Sequence, residues 1–195
     1  MLKQLVIGLI QINAKELITN LKIVFTQKLT LNCSVTWQTK NKGYNSIIIL
    51  GNGSTINCNA GETGKIRWLE MNDYSTSFIV NDLTIKNFNN AIKCHEGTCY
   101  LNNVQFDNNH NHFDFSFDAC DGAAIYNAGG NVICNNCSFI NNSARNGGAI
   151  YTTGFFGKKG IISLNNCTFE GNTADTLGNN TYLMMQKNTT TSLKW

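Results

Sequence analysis

The chain has 195 residues, of which 14% are charged; Lys+Arg 15 against Asp+Glu 12 gives a formal net charge of +3. A typical soluble domain carries about 25% charged residues, and here the polarity comes instead from about thirty asparagines, beside 17 glycines, 11 phenylalanines, 8 cysteines and no proline. That balance excludes collagen-like and proline-rich chains and a strongly basic nucleic-acid binder, while 42% hydrophobic residues are enough to build a core and exclude generic disorder.

In chain order, Met1–Ala14 carries one early lysine and a short apolar run, which reads either as a weak secretion signal or as a cap over the first open coil. The run is far shorter than a membrane span requires. Residues 46–58 read as two strands around the turn Gly51-Asn52-Gly53. After them, four segments align through Asp82, Asn103, Asn136 and Asn166, at offsets of 21, 33 and 30 residues. Each is a polar turn, an apolar–polar–apolar strand and a second Asn-rich turn. Asp121–Gly129 and Asn146–Gly154 form a second repeating element, with small residues beside an Ile-Tyr pair. Short strands at 77–80, 99–101, 131–134 and 160–164 precede the aligned units, and helix signals past residue 25 are nearly absent.

Short strands joined by Asn/Gly turns at a period of 20–33 residues predict a solenoid, because one coil cannot bury its own apolar side and stacked coils can. The expected fold is all-β: a right-handed parallel β-helix of roughly six or seven coils. It would span residues 26–182, between an N-terminal cap or signal-like segment at 1–25 and a C-terminal tail at 183–195. Asparagine tolerates left-handed corners and can bond to the asparagine of the next coil. Proline would remove a ladder N–H from strands paired on both edges.

Two short motifs recur in these units. Phe-x-x-Asn occurs as Phe106…Asn109, Phe139…Asn142 and Phe169…Asn172, and Gly-Gly-Ala-Ile as Gly147, Gly148, Ala149 and Ile150, with a degenerate copy at Gly122–Ile125. Together they resemble the repeats of chlamydial polymorphic outer-membrane proteins and of adhesin-like surface proteins that share them. The stretch Gly51–Ile56 with Leu83–Ile85 resembles the start of a pectin-lyase-like β-helix. The resemblance implies a β-helix at a cell surface, or secreted, and engaged in adhesion. Two units depart from it: 84–90 lacks Phe-x-x-Asn, and the unit ending at Tyr182 lacks Gly-Gly-Ala-Ile.

His110, His112 and Asp114 alternate along one face of an extended strand, with Asp118 and Asp121 following; they form a candidate ligand-binding insert. The simpler reading is a solvated loop between coils, and no metal site or cofactor is expected. Cys137 and Cys167 share one repeat position and are expected to stack as small apolar fillers. Cys94 and Cys99 are the best disulfide candidates, and Cys134-x-x-Cys137 has no second pair to complete a zinc site. Asparagines 32, 52, 136, 141, 166, 179 and 188 head glycosylation sequons that an Asn-rich composition also produces by chance.

The sequence therefore predicts a non-catalytic recognition protein. Its partners would be carbohydrate or a host or neighbour-cell surface protein, bound through inserts at 110–121 and 155–159, with self-association through the end coil as a further contact. Nucleic acid and a transmembrane span are not expected. The alternatives are a polysaccharide lyase or glycoside hydrolase of the same fold, which needs convergent carboxylates, and a structural piece of a longer surface protein.

Overall fold

A computed structural model describes residues 3–5, 20–32, 37–38, 45–58, 67–111, 121–155, 158–183 and 193–194. Among them there is no helix, and the strands form parallel walls in which each rung comes from a different coil. The first wall runs through Asn20–Val24, Ser46–Asn57, Ser77–Lys86, Thr98–Asp107, Asn131–Asn135 and Ile161–Asn165. Lys3–Leu5 and Leu193–Lys194 add outer rungs, so the ladder extends on the N-terminal side of residue 26. Ser138–Ile140 and Thr168–Glu170 continue the same wall past a corner.

A short second wall stacks His110–Asn111, Ser143–Asn146 and Thr173–Leu177. The third wall stacks Trp37–Gln38, Leu69–Met71, Ile92–Cys94, Ile125–Asn127, Ile150–Thr152 and Thr181–Leu183. Four consecutive coils, 77–94, 98–127, 131–152 and 161–183, make up the best-described part of this β-solenoid.

Register follows from the alternation of side chains. In the first wall, odd and even positions point to opposite faces, and the inward set stacks column by column: Leu21–Ile47–Phe78–Cys99–Val132–Ile162, then Ile23–Ile49–Val80–Leu101–Cys134–Leu164. Nearly all of these are fully buried. Each such side chain contributes roughly 1.5–3 kcal/mol on burial, and a slip of one residue would turn the whole column outward. The 21-, 33- and 30-residue spacings read from the sequence are the coil steps: Asn81 pairs with Asn102, Asn102 with Asn135, and Asn135 with Asn165.

The asparagine and glycine surplus has a geometric cause. Three places in each coil require a left-handed backbone. Asp82, Asn103, Asn136 and Asn166 hold the first corner, with φ between 51° and 55°. Asn87, Asn108, Asn141 and Gly171 hold the second, and Asn90, Gly122, Gly147 and Gly178 the third. Only Gly, and less easily Asn or Asp, adopts this conformation routinely. Gly148 answers a different need, because a Cβ there would lie 2.3 Å from the backbone oxygens of Thr173 and Asn179 on the next coil.

Candidate functional site

The motif residues build the interior. Phe106, Phe139 and Phe169 sit in one inward column of the first wall, with ring centroids 5.2 and 4.9 Å apart and planes within 11° of parallel. The motif asparagines are also interior: Asn109 and Asn142 are fully buried and Asn172 is 6% exposed. The left-handed corner residue is the one before each of them, Asn108, Asn141 and Gly171.

Their amides form a continuous ladder. Asn109 Nδ2 donates to Asn142 Oδ1 and Asn142 Nδ2 to Asn172 Oδ1, both at 2.9 Å. Each also donates to a main-chain oxygen of the coil before, Asn109 to Ile85, Asn142 to Phe106 and Asn172 to Phe139. The backbone N–H groups of Phe88, Asn109 and Asn142 donate to the oxygens of Asn109, Asn142 and Asn172. Phe88 stands where an asparagine would continue the series, which is where the Phe-x-x-Asn pattern lapses. Gly147, Gly148, Ala149 and Ile150 line the turn into the third wall, and Ala149 and Ile150 are fully buried.

The insert between His110 and Asp121 is described only at its two ends; His112, Asp114 and Asp118 lie outside the described residues. His110 is exposed on the second wall, opposite Ser143. Asp121 is buried at 3% exposure, and its carboxylate belongs to the scaffold. It accepts from Arg145 Nε and a terminal guanidinium nitrogen at 3.2 Å each, and from Asn146 Nδ2 at 2.9 Å, all one coil on. The Tyr151 hydroxyl is pushed up by burial and then by this carboxylate. His110 and Asp121 are therefore held in different surroundings, one outward and one inward. Replacing Asp121 with Asn removes a charge-assisted pair whose guanidinium is half exposed. We expect a loss of about 1.5 kcal/mol in urea denaturation, with the β-sheet circular dichroism unchanged.

Gly154–Phe155 pairs antiparallel with Lys158–Lys159, a small hairpin whose residues 156–157 lie outside the described residues. It folds back along the solenoid: Lys158 Nζ lies 3.5 Å from Glu96 and over the Tyr74 ring at 3.1 Å from its centroid. Burial raises the Glu96 carboxyl, opposed by His95 and assisted by Asp73. Below the hairpin runs an outward aromatic column that the sequence reading did not assemble. Tyr126, Tyr151 and Tyr182 stack at 5.4 and 5.6 Å, continued by Lys93, whose Nζ lies 5.7 Å from the Tyr126 ring. The Ile-Tyr repeat at 125–126 and 150–151 signals two of these rings. Tyr182 lacks that context in sequence and joins only through register.

The described cysteines are interior fillers. Cys58, Cys94, Cys99, Cys134, Cys137 and Cys167 are free thiols, and all but Cys167 are buried. The Cys94–Cys99 bridge suggested by spacing is thus not formed; each side chain is buried in a separate wall of the coil. Burial pushes Cys94 up to about 12, and a hydrogen bond with Cys134, partly offset by one with Cys167, takes Cys137 to about 12. The folded chain therefore keeps protons that the unfolded chain releases near the ordinary thiol value. Stability from these groups is complete below about pH 9 and is lost as pH rises toward 12. Thermal melts should hold steady to pH 8 and fall steeply between pH 9 and 12. Iodoacetamide at pH 8 should label Cys94, Cys99, Cys134 and Cys137 only after guanidine is added. No group of three or more His, Cys, Asp or Glu residues positioned to hold a metal ion occurs among the described residues.

The last feature is a cleft of about 200 Å³ on the outer face of the first wall, along the first left-handed corner. Asp82, Asn103 and Asn136 form one flank and Thr84, Gln105 and Ser138 the other.

Residues 136–153 match the Chlamydia polymorphic membrane protein repeat. The match covers one coil from the corner residue Asn136 through Phe139, Asn142 and Gly147–Ile150 to the end of the third wall. No curated protein and no solved structure matches the chain. The chain carries polymorphic-membrane-protein-type repeats built into a β-solenoid. Among the described residues, no helix is long and apolar enough to cross a membrane.

Proposed function

We propose that the chain is a surface-exposed, non-catalytic recognition segment whose solenoid presents contact groups to carbohydrate or to a protein on another cell. One observation carries the reading: the inward columns repeat the motif residues, while the outward column just past the first corner changes from coil to coil. Inside, Phe, Asn and Gly-Ala columns recur. Outside, one half-buried to exposed column reads Thr84, Gln105, Ser138, Thr168, and half-buried Glu70, Tyr126 and Tyr182 stand in register with the buried Lys93 and Tyr151. A repeat scaffold with a fixed core and varied outward positions is how solenoids form extended binding surfaces. The inserts at 110–121 and 155–159 are proposed to supply further contacts. The described insert carboxylate, Asp121, is engaged by Arg145 and Asn146 and serves the scaffold.

The purified chain should bind a glycan array or intact cells saturably and release no reducing sugar from neutral or uronate polysaccharides. Turnover of any such polymer would replace this reading with an enzymatic one, and absence of saturable binding to both cells and glycans would remove it.

A further inference from the structure

The cleft on the first wall has a chemistry narrower than surface contact in general. Its floor is closed by Leu83 and Val104, buried in the core at 2% and 1% exposure, so the surface it offers is mainly polar. Its flanks carry amides and hydroxyls. Asp82, Asn103 and Asn136 are locked by their left-handed corners, at φ of 55°, 54° and 53°. Along this corner the side chains bond coil to coil: Asn103 Nδ2 donates to Asp82 Oδ1 and Asn166 Nδ2 to Asn136 Oδ1, both at 2.7 Å. Between Asn103 and Asn136, at the long 33-residue step, no such bond connects the described residues. The ladder opens where the cleft lies, leaving the Asn103 carbonyl oxygen and the Asn136 amide nitrogen as an acceptor and a donor on its wall. Opposite them, Thr84 Oγ1 and Gln105 Oε1 are 3.5 Å apart.

Three features select the ligand. The main-chain groups of this wall are paired on both sides, so an extended peptide has no free edge to join, and recognition must run through side chains. No lysine or arginine lines the cleft and Asp82 does, which disfavours sulfated, sialylated or uronate chains. Beside it on the same face, Tyr100 is 38% exposed between Ile79 and Ile133, an apolar strip flanked by the amides of Asn81, Asn102 and Asn135. An amphipathic aromatic next to neutral donor–acceptor pairs suits a sugar ring, which has C–H faces and a rim of hydroxyls. The volume is smaller than the roughly 300–1,000 Å³ of drug-sized pockets and fits one ring of a longer chain.

We propose that this cleft binds one unit of a neutral oligosaccharide, held by Asn103, Asn136 and Gln105, with neighbouring units lying across Tyr100. The proposal rests on the recognition reading above and adds to it a place and a ligand class. The test is titration of the isotope-labelled full chain with cellohexaose, maltohexaose, mannohexaose and chitohexaose, with a heparin hexasaccharide as charged control, reading side-chain amide resonances. A neutral hexasaccharide should shift the Asn103, Asn136 and Gln105 amides saturably. Gln105→Ala, an outward side chain, and Asn136→Gly, which keeps the left-handed corner, should each weaken binding at least tenfold. Saturable binding that shifts only other residues and survives both substitutions overturns the cleft while recognition stands. Binding of the heparin fragment alone overturns the ligand class. No shift with any sugar overturns the proposal, and the cell-binding assay then decides separately whether surface recognition also falls. The wild-type shift map needs no variant to fold.

Discussion

Phe139→Ala is expected to destabilise the protein by about 5 kcal/mol, the largest effect of any single substitution in the interior. The side chain is fully buried, and its ring stacks on Phe106 at 5.2 Å and on Phe169 at 4.9 Å. Truncation leaves a cavity between two coils that cannot close without breaking the ladder on either side. Removing a buried Phe costs roughly 3–5 kcal/mol, and each stacked pair adds about 0.5–1.5 kcal/mol beyond area. Urea midpoints measure the total. Phe169→Ala, half-buried with one ring neighbour, should cost about half as much. Equal losses at the two positions would mean that stacking contributes nothing beyond burial. Because a solenoid sums local coil and interface terms, the damage should appear first as faster amide exchange in coils 98–127 and 161–183.

Asn142→Leu is the second large effect, about 4 kcal/mol, and it separates polarity from volume. Leucine nearly conserves size, so no large cavity forms. It does strip the acceptor from the Asn109 backbone N–H and side-chain amide, and the donor from the Phe106 carbonyl. Buried groups left without partners cost about 1–3 kcal/mol each, and two or three are orphaned here. Asn142→Asp keeps the acceptor for Asn109 but loses both donors and buries a charge. Burial raises the folded carboxyl above its unfolded value, so its melting temperature should rise as pH falls from 7 toward about 4, as protonation restores one donor. A melt independent of pH between 4 and 7 would contradict the ladder geometry.

Much of this was legible in the sequence because a solenoid writes its cross-section into its repeats. Asp82, Asn103, Asn136 and Asn166 align by eye and share one corner, and the Ile125 and Ile150 units align and pair. What escaped detection depends on register between dissimilar residues. Ile85 occupies the phenylalanine column and Phe88 the asparagine column, so the coil 77–94 follows the template without spelling it. The burial of Asn109 was hidden by the general rule that asparagine favours turns, which holds for its neighbour Asn108. Asp121 looked like a candidate ligand in a polar stretch, and only the 25-residue step to Asn146 reveals the guanidinium and amide that satisfy it. The cleft is the least legible feature, since it exists where a side-chain ladder fails to close.

The central claim is that residues 21, 33 and 30 apart stack directly as neighbours in the inward columns, as Phe78, Cys99, Val132 and Ile162 do. The most direct measurement is the set of ring-proton nuclear Overhauser effects among the phenylalanines in selectively labelled protein. The account predicts strong contacts from Phe139 to both Phe106 and Phe169, and none between Phe106 and Phe169. Direct Phe106–Phe169 contacts, or contacts pairing residues 131–135 antiparallel with 138–140, would contradict it.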